Sequence, residues 1–376
     1  PLLRHLLERA PERAFVARPF DLARDLPIRA SLLRLGEGRA RLLVSIHHIA
    51  ADGWSRGIVL RELAEAYAAL RAGEAPPTGA PPAQFADLAL AQAAWLESPE
   101  ARAQEAFWRE ELAGLSPPRL PEAPGAEGSE DRRAETTFHR LPPELAARVA
   151  PAAAALGATP FTLLLAVFQL LQHRLTGADD LSVGVPSAGR DGAAAGTVGL
   201  FVNTLAHRAR PRAGLSFRDW TAEVHAGFLR GFDRRELPFA RVVEATGAPR
   251  RPGRTPLFQT LFQVQWDGYA RQNADAVDLG DPRLRIRQRP IPLAETKFDL
   301  TWTMMSREDG LALIVERRAA LFDAGFVARM AAQFETLLAA ALARPEAAIE
   351  TLEWRTDAQR AAAVLTGPRR PIPDLA

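Results

Sequence analysis

The spacing of apolar positions changes several times along the chain. Residues 27–34 and 39–46 read as two strands joined by the turn Gly36-Glu37-Gly38. The run Ala40 to Ile46 is apolar on both faces, which predicts a strand inside a covered sheet. From Trp54 to Leu70 the period becomes helical. Ile58, Val59, Leu63, Tyr67 and Leu70 share one side, with Arg56, Arg61 and Glu65 on others. Helices are also predicted at 84–97 and 100–114, and a Pro-, Gly- and Glu-rich stretch from Ser116 to Arg133 reads as a linker.

A second block opens with a strand at 134–141 and helices at Pro143–Leu156 and Phe161–Leu175. Strands at 180–185 and 199–208 follow, then helices at 216–230 and 238–246. Strand-like runs at 257–266, 281–289, 298–305 and 311–316 precede a long amphipathic helix at 323–344. Helices and strands alternate without strict βαβ regularity, so the class is α/β of the α+β kind, in two lobes. The division is an N-terminal lobe at 1–120, a linker at 121–133, a C-terminal lobe at 134–355 and a C-terminal linker at 356–376 toward a following domain. The chain opens at Pro1 in helical-looking sequence and closes in Gly367-Pro368-Arg369-Arg370-Pro371, so both ends are expected to be cut from something longer.

Composition supports two lobes, since 376 residues exceed the ~250–300 at which single cores stop growing. No cysteine is present, which excludes disulfides, thiolate catalysis and sulfur-ligated metals. The pI of about 9.6 suggests a polyanion partner, but 47 basic and 45 acidic residues leave a net charge of only +2. The cations are arginines apart from Lys297, so the high pI reports missing buffers and not a positive field. A nucleic-acid partner is not expected. No run of ~20 consecutive apolar residues occurs and no secretory segment opens the chain, so a cytoplasmic protein without membrane contact is the expectation.

The sharpest chemistry lies in Ser45-Ile46-His47-His48-Ile49-Ala50-Ala51-Asp52-Gly53-Trp54-Ser55. Two histidines sit where a strand ends, and strand ends deliver side chains into clefts. A free imidazole, with pKa ~6.5, is mostly neutral at pH 7 and can accept a proton. Adjacent residues on a strand face opposite ways, so His47 and His48 cannot both serve one site, and metal ligation by the pair is disfavoured. Gly53 removes a side chain where the backbone turns, and Ser55 with Asp52 can cap the following helix. The plain alternative is two packed or solvated imidazoles before an ordinary turn and cap.

This stretch resembles the HHxxxDG signature of condensation domains from nonribosomal peptide synthetases, and the resemblance continues in order. Gln84 to Ala89 with Trp95 resembles a tyrosine-containing motif in weakened form, with Phe85 and Leu88 in place of tyrosines. Val183 to Arg190 is similar to "GxPxAGR", Val198 to Thr204 to "GxFVNT", and Glu236 to Phe239 to "DLPFE", with Arg235 and Ala240 as departures. Arg254 to Gln259 resembles "RxPLFQ", and Lys297 to Leu300 is "KFDL". The family's two earliest motifs, which precede HHxxxDG, are absent.

The resemblance implies two chloramphenicol-acetyltransferase-like lobes in a V-shaped pseudo-dimer with a central tunnel. It implies amide formation between a donor thioester and an acceptor amine, both held on phosphopantetheine arms. The implied partners are upstream donor and downstream acceptor peptidyl carrier domains, with an adjacent adenylation domain, and no metal or diffusible cofactor. Residue by residue, His48 becomes the active-site histidine and His47 a packed structural one. Asp52 forms a salt bridge with Arg190 of the other lobe, and Gly53 keeps the tunnel open. Asn203 either donates near the lobe junction or packs at a strand terminus, while Trp54 is expected as a core anchor. The segment Ile49 to Ser55 resembles the type that joins two L-residues, and the retained Gly-Trp-Ser and "FVNT" segments are unlike epimerisation domains. The rivals are an ester- or amide-forming relative acting on a free acceptor, and a catalytically silent docking domain. Because the first lobe is expected to lack its opening elements, a version extended upstream should melt at a higher temperature than these 376 residues; equal midpoints would refute this.

Overall fold

The computed structural model describes residues 12–365 apart from 13, 78, 80–82, 127, 191, 266–275, 278–285, 288–293 and 308–309. The chain first forms an antiparallel hairpin of β1 (Ile28–Gly36) and β2 (Arg39–Ile46), in register from Ile28 opposite Ile46 to Arg34 opposite Ala40. Three helices follow: α1 (Gly53–Ala72), α2 (Phe85–Leu96) and α3 (Pro99–Glu111). Next come β3 (Ala134–Arg140), α4 (Pro143–Ala155), α5 (Pro160–Thr176), β4 (Leu181–Ser187), β5 (Asn203–Ala209), α6 (Phe217–Phe232), α7 (Phe239–Thr246) and β6 (Thr260–Gln265). A short pair, β7 (Ala276–Val277) and β8 (Ile286–Arg287), precedes β9 (Leu300–Arg307), β10 (Gly310–Arg318), α8 (Ala324–Ala343) and α9 (Asp357–Leu365). Six strands form one mixed sheet in the order β3-β10-β9-β6-β4-β5, parallel at β9-β6 and β6-β4. Most of the predicted strand at 281–289 lies outside the described residues.

Helix α5 is the centre of the larger core. Every residue from Thr162 to Gln172 is buried, so this helix is wrapped on all sides. Its start is fixed by Pro160 at the first turn and by a reciprocal cap between Thr159 and Thr162; Gly177, left-handed at φ 69°, closes its end. Phe168 packs on Phe262 of β6 and Trp302 of β9, with ring centroids 5.1 and 5.0 Å apart. Helix α8 is 20 residues long with a mean hydropathy of 1.3, enough in length and composition to cross a membrane. Arg329 and Glu335 interrupt its apolar run, and Val327, Met330, Phe334 and Leu338 are buried against the same core. Its apolar side serves packing within the fold.

Two expectations need correction. Strand β2 is not enclosed: Leu43 is buried, but Leu42 and Val44 are exposed, because the hairpin pairs only with itself among the described residues. The strand predicted at 199–208 begins at Asn203 instead. Gly199 and Phe201 lend backbone groups to Asp52 and Ser55 at the start of α1, and those bonds replace a strand ladder.

A second buried cluster joins the two halves of the sequence. Trp108 of α3 and Leu112, its C-cap, pack with Leu205, Val242, Val243, Phe258 and Leu261. Trp108 donates its indole N–H to the Arg234 carbonyl at 3.1 Å, and Arg208 caps the end of α3 at the carbonyls of Glu111 and Ala113. The 116–133 stretch is strapped down by ions. Glu122 accepts both arms of the Arg254 fork at 3.0 Å, and Asp299 bridges Arg254 and Arg318. Arg254 and Gln259 of "RxPLFQ" and Asp299 of "KFDL" thus take part in this strapping, since Gln259 also holds Glu122 and the backbone of Leu120.

His207 on β5 is buried and neutral. Its Nε2–H donates to the Val224 carbonyl at 3.1 Å and its Nδ1 accepts from Gln169 at 3.1 Å. Burial dominates and holds its pKa down to about 4 from 6.5, with the nearby Arg230 charge adding to the effect and the Val224 bond opposing it. The folded-state value lies below the unfolded one, so the stabilisation is complete above pH 6.5 and drains away as pH falls toward 4. About 3 kcal/mol is at stake, from 1.36 kcal/mol per unit. Urea melts of His207→Gln between these pH values are expected to show a flattened slope, and an unchanged slope would contradict this origin.

Candidate active site

Strand β2 ends at Ile46 and α1 begins at Gly53, so the six residues between them form a tight connection. The turn is closed by the Ala50 N–H on the His47 carbonyl at 3.0 Å. His47 is half-buried. Its backbone N–H donates to Pro27, its Nδ1 accepts the Ile49 N–H at 3.1 Å, and its ring meets Phe20 edge-on. His48 is exposed, and its Nδ1 lies 2.8 Å from the Ala51 carbonyl oxygen. A carbonyl only accepts, so Nδ1 carries a proton and Nε2 of the neutral ring keeps its lone pair free. The two imidazoles therefore differ: one is enclosed in packing, the other held by one edge and open at the other.

Asp52 caps α1 and is nearly inaccessible. Its Oδ1 accepts from the Ser55 N–H at 2.9 Å and from Arg190 Nη2 at 2.7 Å, with the Ser55 hydroxyl oxygen 3.0 Å away. Its Oδ2 accepts from Arg190 Nε at 3.2 Å and from the Phe201 N–H at 3.1 Å. Burial by itself would raise this carboxyl. The Arg190 fork, the two backbone donors and the arginine charge outweigh it and hold the group below the ordinary carboxylate range. A carboxylate so saturated with donors stays ionised and is no proton acceptor.

Arg190 is equally committed. Its two Nη1 protons reach the carbonyls of Ala194 and Thr197 at 2.7 Å, its second Nη2 proton is shared between the Ser55 hydroxyl at 2.8 Å and the Gly199 carbonyl at 3.1 Å, and its Cζ lies 4.4 Å from the Phe201 ring centroid. Gly53 is exposed at the first position of α1. Trp54 is not the expected core anchor. It remains 36% exposed, and its indole N–H reaches the Ala195 carbonyl at 3.0 Å, because at the helix start it points toward the segment from the other lobe. Asn203 lies away from the histidines. Its amide donates to the carbonyls of Arg235 and Leu237 at 2.8 Å and its oxygen accepts from Thr204 and Phe239. It holds the 235–239 loop, which in turn meets Gln104 of α3.

Sequence reasoning brought Asp52 and Arg190 together but missed how much of segment 194–201 joins them. Ser55 read only as a helix cap; it is fully buried, and its hydroxyl lies within hydrogen-bonding distance of Gly199 N and O. Phe85 packs edge-on against Phe201, so the weakened tyrosine motif lies beside this junction.

The profile of the condensation domain family matches residues 4–364. A linear gramicidin synthase of Brevibacillus parabrevis is 35% identical over 351 residues, covering 92% of this chain and 7% of that protein. Tyrocidine synthase 2 of the same organism is 36% identical over 350 residues, covering 92% and 9% respectively. The chain thus spans less than a tenth of either. Among solved structures, the X-domain from teicoplanin biosynthesis superposes with a TM-score of 0.83 at 30% identity, over 92% of this chain and 79% of that one. The chain belongs to the condensation domain family. It has that family's chloramphenicol-acetyltransferase-like α/β fold, and its relatives are nonribosomal peptide synthetases.

Arg190→Ala should leave Asp52 as an unpaired buried charge and cost about 3–5 kcal/mol in urea unfolding at pH 7. Because the folded pKa of Asp52 is depressed, the stability it adds is present above the unfolded value of ~3.9 and lost as pH falls through the folded value. Asp52→Asn is therefore expected to flatten the acid limb of the stability curve. An Arg190→Ala loss below 1 kcal/mol, roughly the worth of an exposed pair, would contradict the buried-pair account.

Proposed function

We propose that this domain joins a donor acyl or peptidyl thioester to the α-amine of an acceptor aminoacyl thioester, both delivered on phosphopantetheine arms. The carrying observation is the exposed His48 ring, with Nδ1–H committed to Ala51 and Nε2 left to accept. An α-amine with pKa near ~8 is about one-tenth neutral at pH 7, so His48 need not create the nucleophile. The amine nitrogen attacks the thioester carbonyl carbon and a C–N bond forms. The amine proton passes to His48 Nε2 as the tetrahedral state builds. The C–S bond then breaks, the proton goes to the departing thiolate, and neutral imidazole returns. Such proton handling contributes about 10²–10⁴ in rate. Asp52, Arg190 and Gly53 serve as scaffold: the ion pair fixes the loop, and the exposed glycine adds no side chain at the start of α1.

In this reading the partners are upstream donor and downstream acceptor carrier domains, with an adenylation domain in the same polypeptide. The chain works in the cytoplasm without a metal or diffusible cofactor. The segment Ile49 to Ser55 favours an L-donor and L-acceptor. The gramicidin and tyrocidine synthase relatives support the reaction class. A docking role is the second reading, favoured by likeness to the X-domain solved in complex with OxyB, with a TM-score of 0.83 at 29% identity.

In a single-turnover assay with loaded carrier domains, His48→Ala is expected to lose at least about 10² in rate while remaining folded. His47→Ala should mainly lower soluble yield, because its ring packs against Phe20 and receives the Ile49 N–H. Normal product from folded His48→Ala would overturn the catalytic assignment; no product from the unsubstituted domain would favour docking.

A further inference from the structure

The Ala51–Asp52 peptide joins His48 to the other lobe. Its carbonyl oxygen accepts from His48 Nδ1 at 2.8 Å, and its N–H donates to the Gly199 carbonyl at 3.2 Å. Both groups belong to one planar unit and, in a trans peptide, point in opposite directions. Rotation of that plane would therefore break both bonds together. Whatever fixes the Gly199 carbonyl fixes the partner that His48 Nδ1 sees.

Ser55 is what fixes it. Its hydroxyl oxygen accepts the Gly199 N–H at 3.1 Å and lies 2.9 Å from the Gly199 carbonyl, so it grips both backbone groups of one residue. Arg190 Nη2 donates to the same hydroxyl at 2.8 Å, and Asp52 Oδ1 lies 3.0 Å away. Gly199 is pressed from its other side as well: a Cβ there would fall 2.3 Å from Phe85 Cδ2 and 2.8 Å from Phe201 Cε2. The Gly199 backbone thus has little room to move while Ser55 holds it.

Resting on the catalytic reading of His48, we propose that Ser55 is a positioning residue for amide formation. Its hydroxyl, through Gly199 and the Ala51–Asp52 peptide, keeps the His48 proton on Nδ1 and presents Nε2 to the acceptor amine. The tautomer of a histidine is set by the hydrogen bond that the opposite nitrogen makes. An exposed imidazole released from Ala51 reverts to the form water favours, with the proton on Nε2, which cannot accept from an amine at that atom. The ring would still be present and exposed, but with the wrong edge protonated.

The test is ¹⁵N-histidine NMR of the whole 376-residue chain above the titration range of the ring, with His48 assigned by difference against His48→Gln. The unsubstituted chain is expected to show His48 Nδ1 protonated and Nε2 bare; the reverse pattern overturns the proposal, whether or not any variant folds. Ser55→Ala should shift His48 toward the Nε2–H form and reduce kcat by about 10–100-fold, with KM for loaded carriers little changed. Ser55→Thr, which keeps the hydroxyl, should retain the original nitrogen pattern. Ser98→Ala removes a comparable helix-capping hydroxyl at α3 and should lower the melting midpoint while leaving the His48 nitrogens and kcat alone. An unshifted His48 pattern in folded Ser55→Ala overturns the proposal. If the pattern shifts but His48→Ala still forms product at the normal rate, the positioning stands and the catalytic reading of His48 fails.

Discussion

The salt bridge between Asp52 and Arg190 is the constraint on which the site depends. Both groups are buried; each meets the other across the two halves of the sequence and is also held by neighbours from its own half, Ser55 for Asp52 and the Ala194 and Thr197 carbonyls for Arg190. A pair of this kind offsets its own desolvation only when its geometry is good and its remaining valences are filled. Here the fork of Arg190 meets the carboxylate at two points, and backbone N–H and carbonyl groups take the rest. The consequence is geometric. The loop bearing His48 and the segment 194–201 form a single hydrogen-bonded unit, though some 140 residues separate them.

The rest of the architecture keeps that unit in register. Helix α3 precedes the 116–133 stretch in sequence but shares a buried cluster with β5, β6 and α7, so the two halves have a joint core and not merely a seam. The arginine-rich composition finds its use here. Arg190, Arg208, Arg254 and Arg318 each span a carboxylate and at least one backbone carbonyl or second acid, which a planar fork with five donors does and an ammonium does poorly. Lys297, the only lysine, has its pKa lowered chiefly by burial. The near-neutral net charge is thus compatible with a large number of internal ion pairs.

Legibility in the sequence followed the range of the forces involved. Elements defined by local periodicity and caps were readable: α1 runs over Gly53–Ala72 against a predicted 54–70, and α8 over Ala324–Ala343 against 323–344. Elements defined by partners were not. Strand β2 looked enclosed because Leu42 and Val44 are apolar, yet both remain exposed and no described strand other than β1 pairs with it. Residues 199–202 looked like strand because Val202 and its neighbours have strand-like side chains, but the backbone groups of Gly199 and Phe201 were taken by Asp52 and Ser55. Trp54 looked like core by composition, and its surroundings left it at the surface with one indole bond.

What the sequence determined by itself was the set of chemical groups and their local frames: a strand end carrying His47 and His48, a helix capped by Asp52, and an ordered series of motifs shared with condensation domains. Those follow from residue type and short-range spacing, which a linear chain displays directly. The resemblance had already implied that His47 is the packed imidazole; only the tertiary structure decided which nitrogen of His48 faces a backbone carbonyl, and that Ser55 reaches Gly199 as well as capping a helix. Those depend on hydrogen bonds between residues far apart in the chain. Such partners are chosen by folding, because each buried donor and acceptor must find whichever group the packed core brings within about 3 Å.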